Sequence, residues 1–182
     1  MAEFLTVYFL QTGIGWAVIG AMFAVMFGGM GSARGIRIAA GQGAGVMSEK
    51  PELFGKLLVL IALPGTQGFY GFVTFFMIAV RIGLLDGMVK LPPIQGLALL
   101  SVGVCAGVVY WKSAVFQGET SAASINLTAK KPEESGRALL LPALVETYAV
   151  VALLAAILAI LWITGDVQYS EPAIRIVEQA AQ

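Results

Sequence analysis

Residues Ala138–Gly165 read ALLLPALVETYAVVALLAAILAILWITG, and Glu146 is the only charged residue among them. A run this long and apolar passes the roughly 18 residues at which a helix reaches across the hydrocarbon core of a bilayer. Three further runs carry no charge at all: Phe4 to Ala33, Leu57 to Val80 and Leu91 to Trp111. The whole chain is 58% hydrophobic and 12% charged, where an ordinary soluble domain carries about 25% charge. Four such blocks leave no residues for a soluble core. The expected solvent is lipid, and the expected fold class is all-α membrane.

The flanks set the expected topology. Met1-Ala2-Glu3 lacks the cationic start of a cleaved signal, and the first apolar run is too long for one, so the first span is expected to remain. Arg34, Arg37, Lys50, Lys56, Lys112, Lys130, Lys131 and Arg137 lie between spans 1 and 2 or between spans 3 and 4, whereas Arg81, Lys90 and Arg175 lie elsewhere. The positive-inside rule therefore predicts a multi-pass protein of the cell membrane with loops 34–56 and 112–137 towards the cytoplasm and both termini outside. Zero net charge and the lack of a basic tract argue against nucleic acid as a partner. The chain has no His, the usual general base, and its lone Cys105 falls inside span 3.

The chain also repeats itself at a shift of 81 residues without gaps. Lys50-Pro51-Glu52 matches Lys131-Pro132-Glu133, Gly55-Lys56 matches Gly136-Arg137, and Thr66 matches Thr147. Each copy is predicted to be a helical hairpin that turns at its Lys-Pro step, where proline stops the incoming helix. Duplication of a two-span unit is the simplest origin. The division is residues 1–90 for the first hairpin, 91–165 for the second, and 166–182 for an extracytoplasmic tail. Glu146 falls opposite Gly65, so the first hairpin has lost the carboxylate that the second carries. Spans 1 and 3 are rich in small residues, among them Gly20, Gly28, Gly31 and Gly35 in the first and Gly96, Gly103 and Gly107 in the third. Spans 2 and 4 hold bulky ones such as Phe72, Phe76, Leu154 and Leu158. Small residues let backbones approach closely in lipid, which suits a ring with inner spans 1 and 3 and lipid-facing spans 2 and 4.

Glu146 lies nine residues past Arg137, about 13 Å along a helix. A charge at such depth costs at least about 3 kcal/mol, and is tolerated if neutral, paired or ligating a cation. Leu63, Thr66, Gln67 and Tyr70 follow the i, i+3, i+4, i+7 spacing that places them on one face of span 2. Pro64 disturbs that turn and leaves the carbonyl of Leu60 without its N–H. Gln117 stands about as far before the Lys131-Pro132 turn as Glu146 stands after it, so the two are expected to meet. Glu146, Gln117, Thr66, Gln67 and a freed carbonyl together offer oxygens around one negative charge, as hard cations require. A proton needs only the carboxylate and one hydrogen-bond acceptor, so the surplus of oxygens favours Na+.

Several motifs resemble the proteolipid (K or c) subunit of bacterial V-type sodium ATPases, the membrane rotor-ring subunit. They are Leu63-Pro64-Gly65-Thr66-Gln67-Gly68-Phe69-Tyr70-Gly71, Phe116-Gln117-Gly118, Lys130-Lys131-Pro132-Glu133 and Leu144-Val145-Glu146-Thr147-Tyr148-Ala149. The resemblance covers nearly the whole chain. It implies two tandem hairpins assembling into a homo-oligomeric ring of identical protomers. It implies Na+ ligands from the Leu63 carbonyl, the Thr66 hydroxyl, the side-chain oxygens of Gln67 and Gln117 and the Glu146 carboxylate, with Tyr70 holding Glu146 by a hydrogen bond. The partners it implies are a stator membrane subunit with an essential arginine, a central-stalk subunit and membrane lipid. The chain would then be no enzyme by itself but a non-catalytic subunit of an ATP-driven complex.

Lys112, Glu119, Arg34 and Arg37 fall within or beside the same membrane depth, and Lys112 would displace a cation if it faced Glu146. The alternatives are the same ring carrying H+, and a four-span structural membrane protein with a protonated Glu146 as polar glue. Secondary transporters generally use inverted repeats and broken helices, whereas two hairpins of equal orientation are parallel repeats. No nucleophile–base pair or phosphate-cradling loop appears.

Overall fold

A computed structural model describes residues 6–85 and 91–165. Among the described residues, four helices are long and apolar enough to cross a membrane: α1 (Ile14–Glu49), α2 (Pro51–Arg81), α3 (Pro93–Lys130) and α4 (Pro132–Ile163). A π-helical turn, Thr6–Gln11, precedes α1. The proposed tail 166–182 and most of the turn between the hairpins lie outside the described residues.

Both hairpins turn at the Lys-Pro steps. Lys50 (φ −134°, ψ 71°) and Lys131 (φ −136°, ψ 80°) are extended in nearly the same way, as the ring of a following proline demands. Each proline then opens a single 3-10 turn, Pro51–Leu53 and Pro132–Glu134. The two turns also tie to one another: Lys50 Nζ donates to the Ala129 carbonyl (2.6 Å) and Lys56 Nζ to the Pro132 carbonyl (2.9 Å). A cation at a helix C-terminus satisfies carbonyls the helix leaves open.

One expectation is corrected here. The segments 34–49 and 112–130 are not loops but continuations of α1 and α3. A charge does not end a helix, and neither segment holds a proline before the Lys-Pro step. At the other end α2 closes on Gly83, whose φ of 70° suits glycine alone, and Arg81 Nε donates to Thr164 Oγ1 just past α4 (2.9 Å).

The small residues of α1 and α3 form the central seam. Gly13 meets Gly96, Gly20 meets Gly103, and Gly35 meets Gly118, backbone against backbone. A Cβ added at Gly20 would lie 2.5 Å from Leu100 Cα and one at Gly31 2.5 Å from Trp111 Cα, which no side chain tolerates without separating the helices. Outside this seam α2 and α4 pack through apolar clusters: Leu57 and Leu60 with Ala39 and Ile125 near the Lys-Pro turns, Ile78 and Ile160 with Ala21 and Leu99 at the far end. Large side chains such as Phe72, Phe76, Leu154 and Leu158 point outward, the arrangement a lipid solvent permits.

Candidate functional site

The site starts from the flaw that Pro64 puts in α2. Leu63–Gly65 is a 3-10 turn between two α-helical stretches, and Thr66 Oγ1 bonds back to the Leu63 carbonyl (3.1 Å). The same break turns Gln67 inward, where it is fully buried. Glycine makes the room: a Cβ at Gly28 of α1 would lie 2.7 Å from the Gln67 carbonyl. Ser32 of α1 steadies the segment by accepting the Gly68 N–H (2.8 Å).

Four of the five expected site side chains, Glu146 among them, join in one hydrogen-bonded cluster. Tyr70 donates its hydroxyl to Glu146 Oε1 (2.5 Å). Gln117, fully buried on α3, donates through Nε2 to Glu146 Oε2 (3.2 Å) and to the Pro142 carbonyl (3.1 Å). Gln67 Nε2 donates to Gln117 Oε1 (2.6 Å). The expected meeting of Gln117 and Glu146 across the second hairpin is thus observed. Thr66 and Leu63 lie on the adjoining turn and bond to each other. The set draws on three helices, and every member is polar where the surroundings are apolar.

Gln67 Oε1 is buried and, among the described residues, has no hydrogen-bond partner. An unsatisfied buried carbonyl costs about 1–3 kcal/mol. It is an oxygen with spare capacity on a residue bonded to Gln117, which in turn holds the carboxylate.

Sequence reasoning missed the shell that holds Tyr70. Thr74 Oγ1 donates to the Tyr70 carbonyl (2.9 Å) and shares a hydrogen bond with the hydroxyl of Tyr110 (2.9 Å), a fully buried side chain of α3. The two tyrosine rings pack edge to face at 6.2 Å. The signal was present in the i, i+4 spacing of Tyr70 and Thr74, but Tyr110 gave none. Pro142, through its carbonyl, and Ser32 were missed likewise.

Lys112 does not face Glu146. Its Nζ sits over the Trp111 ring, 5.2 Å from the centroid, on an exposed face of α3. Glu119, Arg34 and Arg37 are exposed as well. Among the described residues Glu146 forms no salt bridge. A carboxylate held by a phenol and an amide can take a proton or a small cation. Among the described residues none supplies a cation to neutralise it.

Four helices long and apolar enough to span a membrane, with a carboxylate held among them by a phenol and an amide, define an all-α membrane protein. The chain belongs to the ATP synthase C-subunit family, which matches it twice, over residues 19–78 and 86–159, in keeping with the internal duplication. Among its relatives, the V-type sodium ATPase subunit K of Enterococcus hirae is 36% identical over 149 residues, covering 82% of this chain and 92% of the relative. The A-type ATP synthase subunit K of Methanocaldococcus jannaschii is 34% identical over 163 residues, covering 90% of this chain and 71% of the relative.

Proposed function

We propose that this chain is the ion-carrying rotor-ring subunit of a rotary V-type ATPase, and that its cargo is Na+. The observation that supports the reading is the hydrogen-bonded chain from Gln67 through Gln117 to Glu146, with the Leu63 carbonyl and Thr66 Oγ1 on the turn just before Gln67 and with Gln67 Oε1 unpartnered among the described residues. A proton would use one of these. Sodium, a hard cation, uses several neutral oxygens and one anion. The name of the Enterococcus hirae relative points the same way.

The mechanism follows from the donors. The Gln117 amide N–H group faces Glu146 and partly offsets its charge. On binding, the amide turns its oxygen to the ion, and Gln67 Oε1 gains the partner it lacks. Tyr70 keeps its bond to Glu146 and holds the carboxylate closed around the ion. The protomer then carries no net charge at the site and passes through lipid, where a bare carboxylate would cost several kcal/mol. A stator arginine later competes for Glu146 and releases the ion, and ATP hydrolysis in the soluble head drives the turn through a central stalk. Both termini face outward in this reading, with the Lys-Pro turns towards the cytoplasm.

Equilibrium binding of radioactive sodium to the purified ring tests it. One saturable site per chain, lost in Glu146→Gln, is expected. Absence of saturable binding, with proton uptake still dependent on Glu146, would make the cargo H+.

A further inference from the structure

The repeat shift and the packing of α1 on α3 together specify a second seam. In the seam inside one chain the partners differ by 83 residues: Gly20 with Gly103, Gly35 with Gly118, and Gly107, whose Cβ would lie 3.2 Å from Ala24 Cα. The repeat shift is 81, so parallel inner helices pack with a stagger of two residues, about 3 Å along the axis. Most members of that buried seam have a repeat mate on the outside. On α1 Gly20, Ala24, Gly31 and Gly35 correspond to Ser101, Cys105, Lys112 and Phe116 of α3, all exposed. On α3 Gly103, Gly107 and Gly118 correspond to Met22, Met26 and Arg37 of α1, again all exposed.

We infer that the exposed face of α3 docks on the exposed face of α1 in a second copy of this chain with the same two-residue stagger, setting Cys105 against Met26 and Glu119 beside Arg37. The inference rests on the ring assembly proposed above and adds its register. The occupant is a second copy because the two faces are repeat images of the one interface the chain already makes with itself. Charge agrees: Glu119, the sole acid of α3, lies one turn beyond Phe116, the repeat mate of Gly35, and Arg37 is the repeat mate of Gly118, the residue Gly35 meets. A groove of about 250 Å³ between α3 and α4, lined by Cys105, Val109, Ala152 and Ala156 among others, opens on the same side.

The two seams are unequal. Where the inner seam has Gly20, Gly31 and Gly35, the outer one has Ser101, Lys112 and Phe116. Where it has Gly103, Gly107 and Gly118, the outer one has Met22, Met26 and Arg37. Helices of neighbouring copies therefore stand further apart than α1 and α3 of one chain, and the ring alternates close and wide pairs. A head-to-tail contact of this kind closes into a ring when its rotation divides the circle.

The native Cys105 makes the test simple. In membranes holding the full-length protein, Met26→Cys, Met22→Cys and Met30→Cys are each treated with a short thiol-to-thiol cross-linker. Met22 and Met30 lie four residues, about 6 Å, to either side of Met26. Met26→Cys should yield a ladder of dimers, trimers and higher species at least about fivefold faster than either neighbour, given how narrow a Cα separation thiols can bridge. Met26→Cys combined with Cys105→Ser should yield no ladder. Arg37→Glu should lower the yield of intact ring, and adding Glu119→Arg should restore it. Fastest cross-linking at position 22 or 30, or none at all three in a protein that native mass spectrometry shows as a ring, would overturn the register and leave the ring reading standing. A monomer by native mass spectrometry would overturn both.

Discussion

Gln117 bonds through one amide nitrogen to both Glu146 (3.2 Å) and the Pro142 carbonyl (3.1 Å), and its oxygen accepts from Gln67 at 2.6 Å. One residue of α3 thereby joins the carboxylate of α4 to the kinked turn of α2. The amide faces the carboxylate as a donor and would face a cation as an acceptor, so binding requires it to turn. Gln117→Ala should weaken sodium binding by on the order of 10-fold, near 1.4 kcal/mol, while leaving the ring intact. Gln117→Glu should restore oxygen but add charge, and the ring should then bind protons in preference. Radioactive sodium binding at fixed pH separates the two.

Thr66 contributes a hydroxyl that already rests on the Leu63 carbonyl (3.1 Å). Thr66→Ala removes one ligand and the prop of another, so sodium affinity should fall roughly 10-fold. Thr66→Ser keeps the oxygen and should stay within a factor of about three of the parent. A proton-carrying ring would show no difference between the two variants in pumping assays.

Tyr70 holds Glu146 from the neighbouring helix (2.5 Å). A hydrogen bond to a charged group is worth about 1.5–3 kcal/mol, so Tyr70→Phe should release bound sodium at least about 10-fold faster. The readout is the exchange rate of labelled for unlabelled sodium. Tyr110→Phe, which breaks only the bond to Thr74, should show a smaller change in the same direction.

How much of this was legible beforehand varies with the kind of contact. Residue type and spacing along one helix announced the four spans, the Lys-Pro turns and the face shared by Leu63, Thr66, Gln67 and Tyr70. The glycine seam followed from composition, because close packing in lipid needs small residues. The partners across helices were harder. Tyr110 and Ser32 reach the site only because of the rotation of α3 and α1 about their axes. Helices with small residues on most sides leave that rotation undetermined by pattern. Lys112 shows the same limit from the other direction: its depth raised the prospect of an ion pair with Glu146, and its position over Trp111 is fixed by which side of α3 it occupies. The apolar runs end at Arg34 and Lys112, so 34–56 and 112–137 read as loops, whereas the helices run on to the Lys-Pro steps at which the sequence placed the turns.

Glycines divide into two classes with opposite predicted effects. Gly103 faces the Gly20 carbonyl at backbone contact, so Gly103→Val should cost several kcal/mol, in line with overpacking of a closed core, about 1–3 kcal/mol or more. Folded protein recovered in detergent should drop sharply. Gly55 has nothing within 4 Å of an added Cβ and sits in helix, so Gly55→Ala should raise stability by roughly 0.5–1 kcal/mol. Thermal unfolding of the two variants side by side gives the comparison.

The central claim is that Glu146 is neutralised by sodium. Reaction of the purified protein with a hydrophobic carbodiimide at fixed pH tests it most directly, because the reagent attacks the protonated acid and a bound ion shields it. The account predicts labelling of Glu146 that falls as sodium rises through the millimolar range or below, and protection that disappears in Thr66→Ala and Gln117→Ala. Labelling of Glu146 that proceeds at the same rate with and without sodium would contradict it, and would assign the ring to protons.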